Sequence, residues 1–380
     1  MRDPSNYSTL SLSSPLTPPG TPDDYPRSSR CLSAKNKDFY RWRPSYHLMA
    51  PGGWMNDPCG LGFDRETGLY HVSFQWNPHD NNWGNISWAH ATSPDLVSWT
   101  IDEKPCLSPD TLYDRRGVFT GCLLNADDGW LVYVYTSVSA LPIHYTLDYR
   151  RGCESLSLAA SRDNGNTWFK YPSNPVLPGP PEGVEVTGFR DPFVAPWPAM
   201  SRLLGRDERR SMYGTISGGI RDQTPTLFLY SIDTRSIHKW DYLGQLVDLG
   251  QNFRPSKWSG DLGKNWEVTN FLTLYDDNAA SVSRNFLVMG VEGVQAANSL
   301  NKEEEKEGKQ HEAKDTLKAP KRTLRNQLWM CGNLQKKHDD PTSSTTKINM
   351  TYNYGGYLDH GCLYAANSFH DPVSSAQIYY

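Results

Sequence analysis

The stretch Trp54-Met55-Asn56-Asp57-Pro58-Cys59-Gly60 places one carboxylate, Asp57, beside a proline and close to a glycine. More tryptophans follow within the next few dozen residues: Trp76, Trp83 and Trp88. Indole rings cover the apolar faces of a sugar, and a carboxylate can meet the positive charge that develops at its anomeric carbon. The stretch therefore indicates a sugar-cleaving site.

Composition and charge exclude several classes of protein. The 380-residue chain has a formal net charge of -4 and an isoelectric point of about 6.2, so it lacks the basic excess of a nucleic-acid-binding protein. Its seven cysteines are odd in number and form no Cys-x-x-Cys pair, which argues against a disulfide framework and a zinc site. We find no Gly-rich phosphate loop and no metal-ligand cluster, so we expect no cofactor and no metal.

The ends of the chain and one internal segment differ from the rest. Residues 1–38 are rich in Ser, Pro and Thr, which predicts a disordered tail before a folded domain at 39–380. Residues 301–325 are dense in charge and are predicted to be a solvated insertion. Residues 1–12 lack the pattern of a secretory signal, and no apolar run is long enough to cross a bilayer, so we expect a cytoplasmic protein.

The folded part is predicted to be β-structure. Apolar or alternating runs recur between turn signals, at 69–75, 86–91, 130–137, 155–160, 227–232 and 286–291. A Ser-x-Asp turn followed by a Trp comes after three of these runs, beginning at Ser93, Ser161 and Ser231, with a spacing of roughly 70 residues. This repeat predicts an all-β fold, a five-bladed β-propeller. The alternative is that Ser-x-Asp is only a common way to open a turn.

Three acidic residues lie in unusual settings far apart along the chain. They are Asp57, Asp191 in Gly188-Phe189-Arg190-Asp191-Pro192-Phe193, and Glu267 in Trp266-Glu267-Val268-Thr269-Asn270. The innermost strand of each propeller blade lines a central channel, so acids from different blades can meet there. Each acid alone has a simpler explanation, since an Asp before Pro often opens a turn and a Glu after Trp often lies on the surface.

Such a set of carboxyl groups suits glycoside cleavage with retention of configuration. One group attacks the anomeric carbon, and a second gives a proton to the leaving oxygen and later takes one from the acceptor. A third can hold the sugar hydroxyls through the transition state. Burial beside other negative charges is expected to raise the pKa of the proton donor, as that role requires.

At these residues the chain resembles glycoside hydrolase family 32, the invertases, inulinases and fructosyltransferases. Residues 54–60 are similar to the family's Trp-Met-Asn-Asp-Pro-Asn-Gly motif, Arg190-Asp191-Pro192 resembles its Arg-Asp-Pro motif, and Glu267 falls where the family has Glu-Cys. The resemblance implies that Asp57 is the nucleophile, Asp191 the transition-state stabiliser and Glu267 the acid/base.

Further motifs extend the resemblance from about residue 42 to the end of the chain. They are Phe74-Gln75-Trp76-Asn77-Pro78, Trp83-Gly84, Phe119-Thr120-Gly121-Cys122, Asp359-His360-Gly361 and Tyr364-Ala365-Ala366. The resemblance implies substrate-binding roles for seven residues: Asn56, Gln75, Trp83, Phe119, Thr120, Arg190 and Asp359.

Three departures from the family pattern carry expectations of their own. Cys59 stands where the family usually has Asn, and fungal members with strong fructosyl transfer also carry Cys there, which implies transfer over hydrolysis. Val268 follows Glu267 in place of the usual Cys. The family normally adds a C-terminal β-sandwich. We expect none here, because the chain stops about where a fifth blade would finish, complete or cut short.

The predicted function is that of a retaining β-fructofuranosidase acting on sucrose and related fructosides, with fructosyltransferase activity that forms fructooligosaccharides. Sucrose and fructooligosaccharides are the expected partners, nucleic acid and membranes are not, and the oligomeric state stays open. Three alternatives remain: a shortened sugar-binding propeller without turnover, a propeller interaction scaffold, and a related five-bladed enzyme that cleaves arabinosyl or xylosyl bonds. The first motif favours fructose, because it is characteristic of the fructosyl-cleaving family.

Overall fold

The computed structural model describes residues 44, 47–126, 129–256, 258–276, 279–295, 324–337 and 347–380. The predicted tail at 1–38 lies outside the described residues, as does 301–323 of the predicted insertion. Leu324 and Arg325, which end that predicted insertion, are described, and Arg325 is the first residue of a β-strand. The insertion as predicted therefore overlaps the sheet by one residue.

Four antiparallel sheets of four strands follow one another along the chain. The first holds β1 (Trp54–Asp64), β2 (Leu69–Asn77), β3 (Ser87–Ser93) and β4 (Thr100–Ile101). The second holds β5 (Gly117–Asn125), β6 (Leu131–Val138), β7 (Glu154–Ser161) and β8 (Phe169–Lys170). The third holds β9 (Val186–Ala195), β10 (Ser211–Ile220), β11 (Thr224–Asp233) and β12 (Asp241–Gln245). The fourth holds β13 (Asn265–Asp276), β14 (Ala279–Glu292), β15 (Arg325–Lys337) and β16 (Lys347–Tyr357).

Two smaller elements complete the described part of the chain. A two-stranded sheet follows the fourth sheet and consists of β17 (Ser368–Asp371) and β18 (Ala376–Tyr379). Helix α1 (Pro198–Leu204) connects β9 to β10. It has a proline in its first turn and ends at Gly205, whose φ of 68° is the left-handed conformation that favours glycine.

The first strand of each four-stranded sheet is its innermost strand, and these strands pack side by side in chain order, β1 against β5, β5 against β9 and β9 against β13. The small sheet lies between the fourth sheet and the first. Ser368 donates to Oδ1 of Asn270 in β13 at 2.5 Å, and Asn367 donates to the carbonyl oxygens of Pro58 in β1 and Gly121 in β5, both at 3.1 Å. The prediction of an all-β propeller is therefore confirmed, with four sheets of four strands in the described residues.

The three predicted Ser-x-Asp turns lie at equivalent places, between the third and fourth strands of the first three sheets. In each copy the Asp carboxylate accepts a hydrogen bond from a backbone N–H of the turn: Asp95 from Val97 and Ser98, Asp163 from Thr167, and Asp233 from Arg235. Asp side chains stabilise turns in this way. The repeat seen in the sequence is therefore a structural unit of each blade.

The core lies between neighbouring sheets, where large aromatic side chains are buried. Trp88 of the first sheet packs edge-on against Tyr133 of the second, with ring centroids 4.8 Å apart. Gly60 lies at the same interface with a φ of +51°, and a Cβ atom added there would come within 2.5 Å of the Tyr133 ring. Only glycine meets both requirements without strain.

The regular pairing of three inner strands, β1, β9 and β13, is interrupted by register shifts. Residues at these interruptions line the cavity described below. In β1, Asn56 and Asp57 together oppose a single residue of β2. In β9, Asp191 and Pro192 oppose one residue of β10, and in β13 Val268 and Thr269 oppose one residue of β14. Two residues opposite one form a β-bulge, which bends the strand and redirects its side chains.

Candidate active site

The bulges of the inner strands line a cavity of about 650 Å³. Its walls include all three predicted catalytic acids, Asp57, Asp191 and Glu267. They also include five of the seven predicted substrate-binding residues: Asn56, Gln75, Trp83, Phe119 and Arg190. The remaining lining residues are Trp54, Pro58, Ile143, His144, Glu292, Arg325, Tyr364 and Ala365. Asp57 and Glu267, which are 210 positions apart in the chain, thus share one space.

The carboxylate of Asp57 is held by side chains from two blades. Its Oδ2 atom accepts from the Thr120 hydroxyl at 2.5 Å and from Nε2 of Gln75 at 3.4 Å, and its Oδ1 atom accepts from Nδ2 of Asn56 at 3.2 Å. Burial raises the pKa of Asp57, the bond from Thr120 opposes this, and the charge of Glu267 adds to it. The hydrogen bonds fix the orientation of a group that acts as a nucleophile only when ionised.

Thr120 lies behind Asp57 and does not line the cavity. Its hydroxyl accepts from Nε2 of Gln75 at 2.6 Å while donating to Asp57, and the Gln75 carbonyl oxygen accepts from Asn56 at 3.0 Å. Trp54 in turn donates to the Asn56 side chain at 2.8 Å. The predicted binding residues Asn56, Gln75 and Thr120 are therefore one hydrogen-bonded chain that supports Asp57.

The two oxygen atoms of Glu267 have different partners. Oε1 accepts from Arg190, at 2.8 Å from Nη2 and 3.2 Å from Nε, while Oε2 accepts from the Tyr364 hydroxyl at 2.6 Å. Arg325 lies further off, with Nε 4.0 Å from Oε2. Burial raises the pKa of Glu267, but the charges of Arg190 and Arg325 and the bond from Tyr364 outweigh it, so the pKa is lowered.

This direction is opposite to the one expected from the sequence, where burial beside other acids was to raise the pKa of the proton donor. The sequence shows acids near one another only as residue types, whereas the structure shows which cations stand closest to each. Arg190 and Arg325 both face Glu267, and their attraction exceeds the repulsion from Asp57 and Asp191.

Asp191 sits in a strained backbone position, with a φ of +58°. Its N–H donates to Thr136 at 2.7 Å, and its Oδ2 accepts from the N–H of Val268 at 3.1 Å, so the second, third and fourth sheets meet at this residue. Burial raises its pKa well above the ordinary value, Arg190 opposes this, and Glu267 and Asp57 add to it. Val268 is also left-handed, with a φ of 44°, which is rare for a β-branched residue.

Arg190 is surrounded by carboxylates that the sequence analysis did not identify. Nη1 donates to Oε1 of Glu154 at 3.1 Å, and Nη2 donates to Oε2 of Glu292 at 3.1 Å as well as to Glu267. Its Nε is 4.0 Å from Asp191. Arg190 is nearly buried, and these contacts compensate its loss of water.

Glu154 and Glu292 are fully buried, with side-chain exposures of 0% and 1%. A signal was present in the sequence, since each lies at the end of a predicted apolar strand, where a charged residue is unusual. Arg325 was missed because it was placed in the charged insertion. Tyr364 appeared only as part of a motif, without a role.

The rim of the cavity is aromatic. Trp83 is 46% exposed and meets the ring of Phe119 edge-on, with centroids 5.7 Å apart. Trp54 and Tyr364 add two further rings to the lining. Half-exposed aromatic faces of this kind can stack on the apolar faces of a sugar.

Asp359 is the second predicted binding residue, after Thr120, that does not line the cavity. Its carboxylate accepts from the backbone N–H groups of Gly361 and Leu363, at 2.9 and 3.0 Å. The side chain thus stabilises its own loop, a common use of Asp in turns. That loop leads into Tyr364, which does line the cavity.

Cys59, the departure from the family's first motif, also lies outside the cavity. The residue is buried against Trp88 and Tyr133, and its thiol is 3.4 Å from the carbonyl oxygen of Asp57. Burial and the charge of Asp57 raise the pKa of this thiol well above its ordinary value. Cys59 can therefore affect the reaction only through the backbone that carries Asp57.

Within the described ranges, no group of three or more His, Cys, Asp or Glu side chains is arranged to hold a metal ion. No helix in that same part of the chain is both long and apolar enough to cross a membrane.

Sequence relatives of the chain carry names from carbohydrate chemistry. Beta-fructofuranosidase 1 of Zea mays is 37% identical over 157 residues, which cover 40% of this chain and 22% of the maize protein. The chain thus matches less than a quarter of that relative's length.

Solved structures and a family model extend this likeness over most of the chain. An Aspergillus kawachii beta-fructofuranosidase complexed with glycerol superposes with a TM-score of 0.73 at 29% identity, over 95% of this chain and 55% of that one. A fructosyltransferase from A. japonicus gives a TM-score of 0.73 at 27% identity, over 92% and 56%. The model described as the glycosyl hydrolases family 32 N-terminal domain matches residues 47–380. The chain therefore belongs to glycosyl hydrolase family 32.

Proposed function

We propose that this propeller cleaves the fructosyl bond of sucrose and related fructosides by double displacement. The observation that carries the proposal is the shared cavity, in which Asp57 and Glu267 face one space although they lie in the first and fourth sheets. Two carboxyl groups that flank one sugar are the basic requirement for a retaining glycosidase. The names of the relatives, beta-fructofuranosidase and fructosyltransferase, support fructose as the sugar.

The first half-reaction makes an ester between the protein and the sugar. A carboxylate oxygen of Asp57 forms a bond to C2 of the fructosyl unit as the bond from C2 to the glucosyl oxygen breaks. That oxygen keeps the electron pair and receives the proton of Glu267, so glucose leaves as a neutral molecule. In the second half-reaction the Glu267 carboxylate takes a proton from water or from a sugar hydroxyl, whose oxygen bonds to C2 and releases Asp57.

The charges around Glu267 favour the acceptor step. A lowered pKa keeps Glu267 ionised, which suits a base but requires proton uptake before the first step. The raised pKa of Asp57 favours its protonated form, whereas the first step requires Asp57 to be ionised. At pH values above both pKa values, the fraction with Glu267 protonated and Asp57 ionised falls tenfold per pH unit. We therefore expect turnover to be fastest in acid solution.

Three other residues have supporting roles in the proposal. Asp191 offers its free Oδ1 atom to the sugar hydroxyls, since Oδ2 is bound by Val268. Arg190 orients Glu267, and Trp83 stacks on the sugar or its leaving group at the rim.

The nature of the acceptor is a separate part of the proposal. We propose that a second sucrose competes with water, which yields short fructooligosaccharides. Cys59 supports this through the resemblance to fructosyl-transferring members, although its side chain does not reach the cavity.

We also propose that β17 and β18 are the inner part of a fifth blade. The hydrogen bonds of Asn367 and Ser368 to strands β1, β5 and β13 support this, because they place the small sheet in the gap between the fourth sheet and the first.

The test is to incubate the purified chain with concentrated sucrose and to measure free glucose and free fructose. The proposal expects glucose, in excess over fructose if transfer occurs and equal to it if water is the acceptor. The Asp57→Asn variant should lose at least a factor of about 1,000 in rate, because the nucleophile is gone.

The matched control is Asp95→Asn, which changes an exposed Asp in the turn after β3, outside the cavity. It should keep the rate of the unmodified chain. Sucrose binding without glucose release would instead support a sugar-binding propeller, and no binding would exclude both.

A further inference from the structure

Glu292 is a buried acid that the two half-reactions do not use. Its Oε2 atom accepts from Arg190 and from Nδ2 of Asn265, both at 3.1 Å. Its Oε1 atom accepts twice from Arg325, at 2.6 Å from Nη2 and 3.1 Å from Nε. Burying a carboxylate is costly unless its partners are well placed, and here every partner is a donor, two of them arginines of the cavity wall.

The partners of Glu267 decide which of its oxygen atoms can carry the proton. Oε1 already accepts from two N–H groups of Arg190, which leaves no acceptor near it for an added hydrogen. Oε2 accepts only from the Tyr364 hydroxyl and keeps a second lone pair. The structure thus indicates that Oε2 carries the proton for the leaving oxygen.

Arg325 is the cation that competes with the proton for Oε2 of Glu267. Its Nε atom is 4.0 Å from Oε2 of Glu267, against 3.1 Å from Oε1 of Glu292. A shift of roughly 1 Å would bring the guanidinium to the usual distance of a charge-assisted bond and fill the second lone pair. Because the Arg325 side chain is 48% exposed, the cavity wall alone does not hold it in place.

We propose that Glu292 is a positioning residue that holds Arg325 away from Oε2 of Glu267 and so keeps this oxygen open to the proton. The inference rests on the proposed function only in naming Glu267 as the acid. The short bonds from Arg325 to Glu292 compete with the longer contact from Arg325 to Glu267.

Other charged and titratable groups also face Glu267 and must be accounted for. They are Asp57 from β1, Arg190 and Asp191 from β9, Arg325 from β15, Tyr364 from the loop before β17, and His144 in the wall of the same cavity, with Glu154 behind Arg190. The two arginines already lower the pKa of Glu267. Closer approach of Arg325 must lower it further.

The test is a pH titration of the Glu267 carboxyl carbon by NMR in protein labelled with ¹³C-glutamate, with Glu267→Gln to assign the signal. Glu292→Gln keeps the shape of the side chain and frees Arg325, so the pKa of Glu267 should fall by roughly one unit. Arg325→Gln should raise it, since Glu292 is then unopposed. In the double variant the lowering caused by Glu292→Gln should largely vanish.

Glu154→Gln is the matched control. It removes another buried acid beside Arg190 but touches no atom of Arg325. Its effect on the pKa of Glu267 should simply add to that of Arg325→Gln. If Glu292→Gln also lowers the pKa equally with and without Arg325, Glu292 acts only through its charge, and the proposal is wrong.

The titration separates this proposal from the proposed function, because it needs no turnover. A chain that releases no glucose but shows the expected coupling would refute the function and keep the positioning role. In an active chain, kcat/KM for sucrose at neutral pH should fall about tenfold in Glu292→Gln. If Glu292→Gln does not fold, an unchanged pKa of Glu267 in Arg325→Gln would overturn the proposal.

Discussion

Glu267 illustrates how much of this site is decided by single hydrogen bonds. Tyr364 donates to Oε2, the oxygen inferred above to carry the proton, and thereby favours the ionised form of the acid. Gly290 makes room for this contact, because a Cβ atom added there would lie 3.1 Å from the Tyr364 ring. The position of one hydroxyl therefore affects when Glu267 can hold a proton.

Removing that hydroxyl gives a prediction at this scale. In Tyr364→Phe the ionised Glu267 loses a donor, so its pKa should rise by roughly one unit. The same carboxyl titration by NMR measures the change.

The control is Tyr70→Phe, which removes a bond from a tyrosine to Asp371 away from the cavity. It should leave the pKa of Glu267 unchanged. A pKa of Glu267 that falls or stays constant in Tyr364→Phe would show that the contact does not favour the ionised carboxylate.

The sequence predicted which residues line the cavity better than it predicted the direction in which the pKa of Glu267 is shifted. Motifs identify Asp57, Asp191 and Glu267, and each of these acids lies in or directly before a bulge of an inner strand. The buried partners Glu154 and Glu292 lie in ordinary strands, where only their charge is unusual. Packing between blades determines which arginine faces which acid, and the residue pattern of a single strand does not reveal this pairing.

At the level of the strand, β-bulges place the chemistry. In β1 the bulge is followed by Pro58 and in β9 it contains Pro192, and a proline has no N–H to give to the ladder. In β13 the bulge contains Val268 in a left-handed conformation, and its N–H reaches Asp191. The Asp-Pro pairs, for which a turn opener was the simpler alternative in the sequence, are thus interruptions inside strands.

Gly60, later in β1, gives a prediction at this scale. In Gly60→Ala the new methyl group meets Tyr133 at 2.5 Å and the backbone keeps its φ of +51°, so both crowding and strain should destabilise the fold. We expect a loss of about 3 to 4 kcal/mol in the free energy of unfolding, measured with urea.

Gly68→Ala is the matched control, since Gly68 also has a positive φ but has open space around it. It should cost only about 1 kcal/mol. Equal losses in the two variants would mean that strain alone, and not contact with Tyr133, determines the need for glycine at position 60.

At the level of the whole molecule, the ring of sheets is joined where the chain returns to its first blade. Asn367 donates to carbonyl oxygens of Pro58 and Gly121, in two different sheets, and both distances are 3.1 Å. These bonds tie the small sheet to the strands that carry Asp57 and Thr120.

Asn367→Ala should therefore destabilise the molecule by about 2 to 3 kcal/mol, because it removes the two bonds to Pro58 and Gly121 and the bond that Oδ1 accepts from the N–H of Ser368. Urea unfolding measures this. Asn333→Ala, which removes only an exposed contact at 3.5 Å, should change stability by less than about 0.5 kcal/mol. A loss in Asn367→Ala as small as in this control would show that the ring does not depend on Asn367.

The overall fold was readable because its unit repeats. The turns at Ser93, Ser161 and Ser231 gave the spacing of the blades, and the structure places each between the third and fourth strands of a sheet. The fourth sheet carries no such turn in its described residues. Its strands β14 and β15 flank the charged segment in the sequence. The repeat therefore predicted the propeller architecture, but it did not predict the strand lengths and turns of the fourth sheet.

The central claim is that Asp57 attacks the sugar while Glu267 handles the proton, and trapping the ester tests it most directly. In Glu267→Gln the base for the second half-reaction is missing, and fructosyl fluoride, whose leaving group needs no proton, should still react with Asp57. After acid quench and digestion, mass spectrometry should find one fructosyl unit on the peptide that contains Asp57. A fructosyl unit on any other carboxylate, or no covalent label at all, would contradict the account.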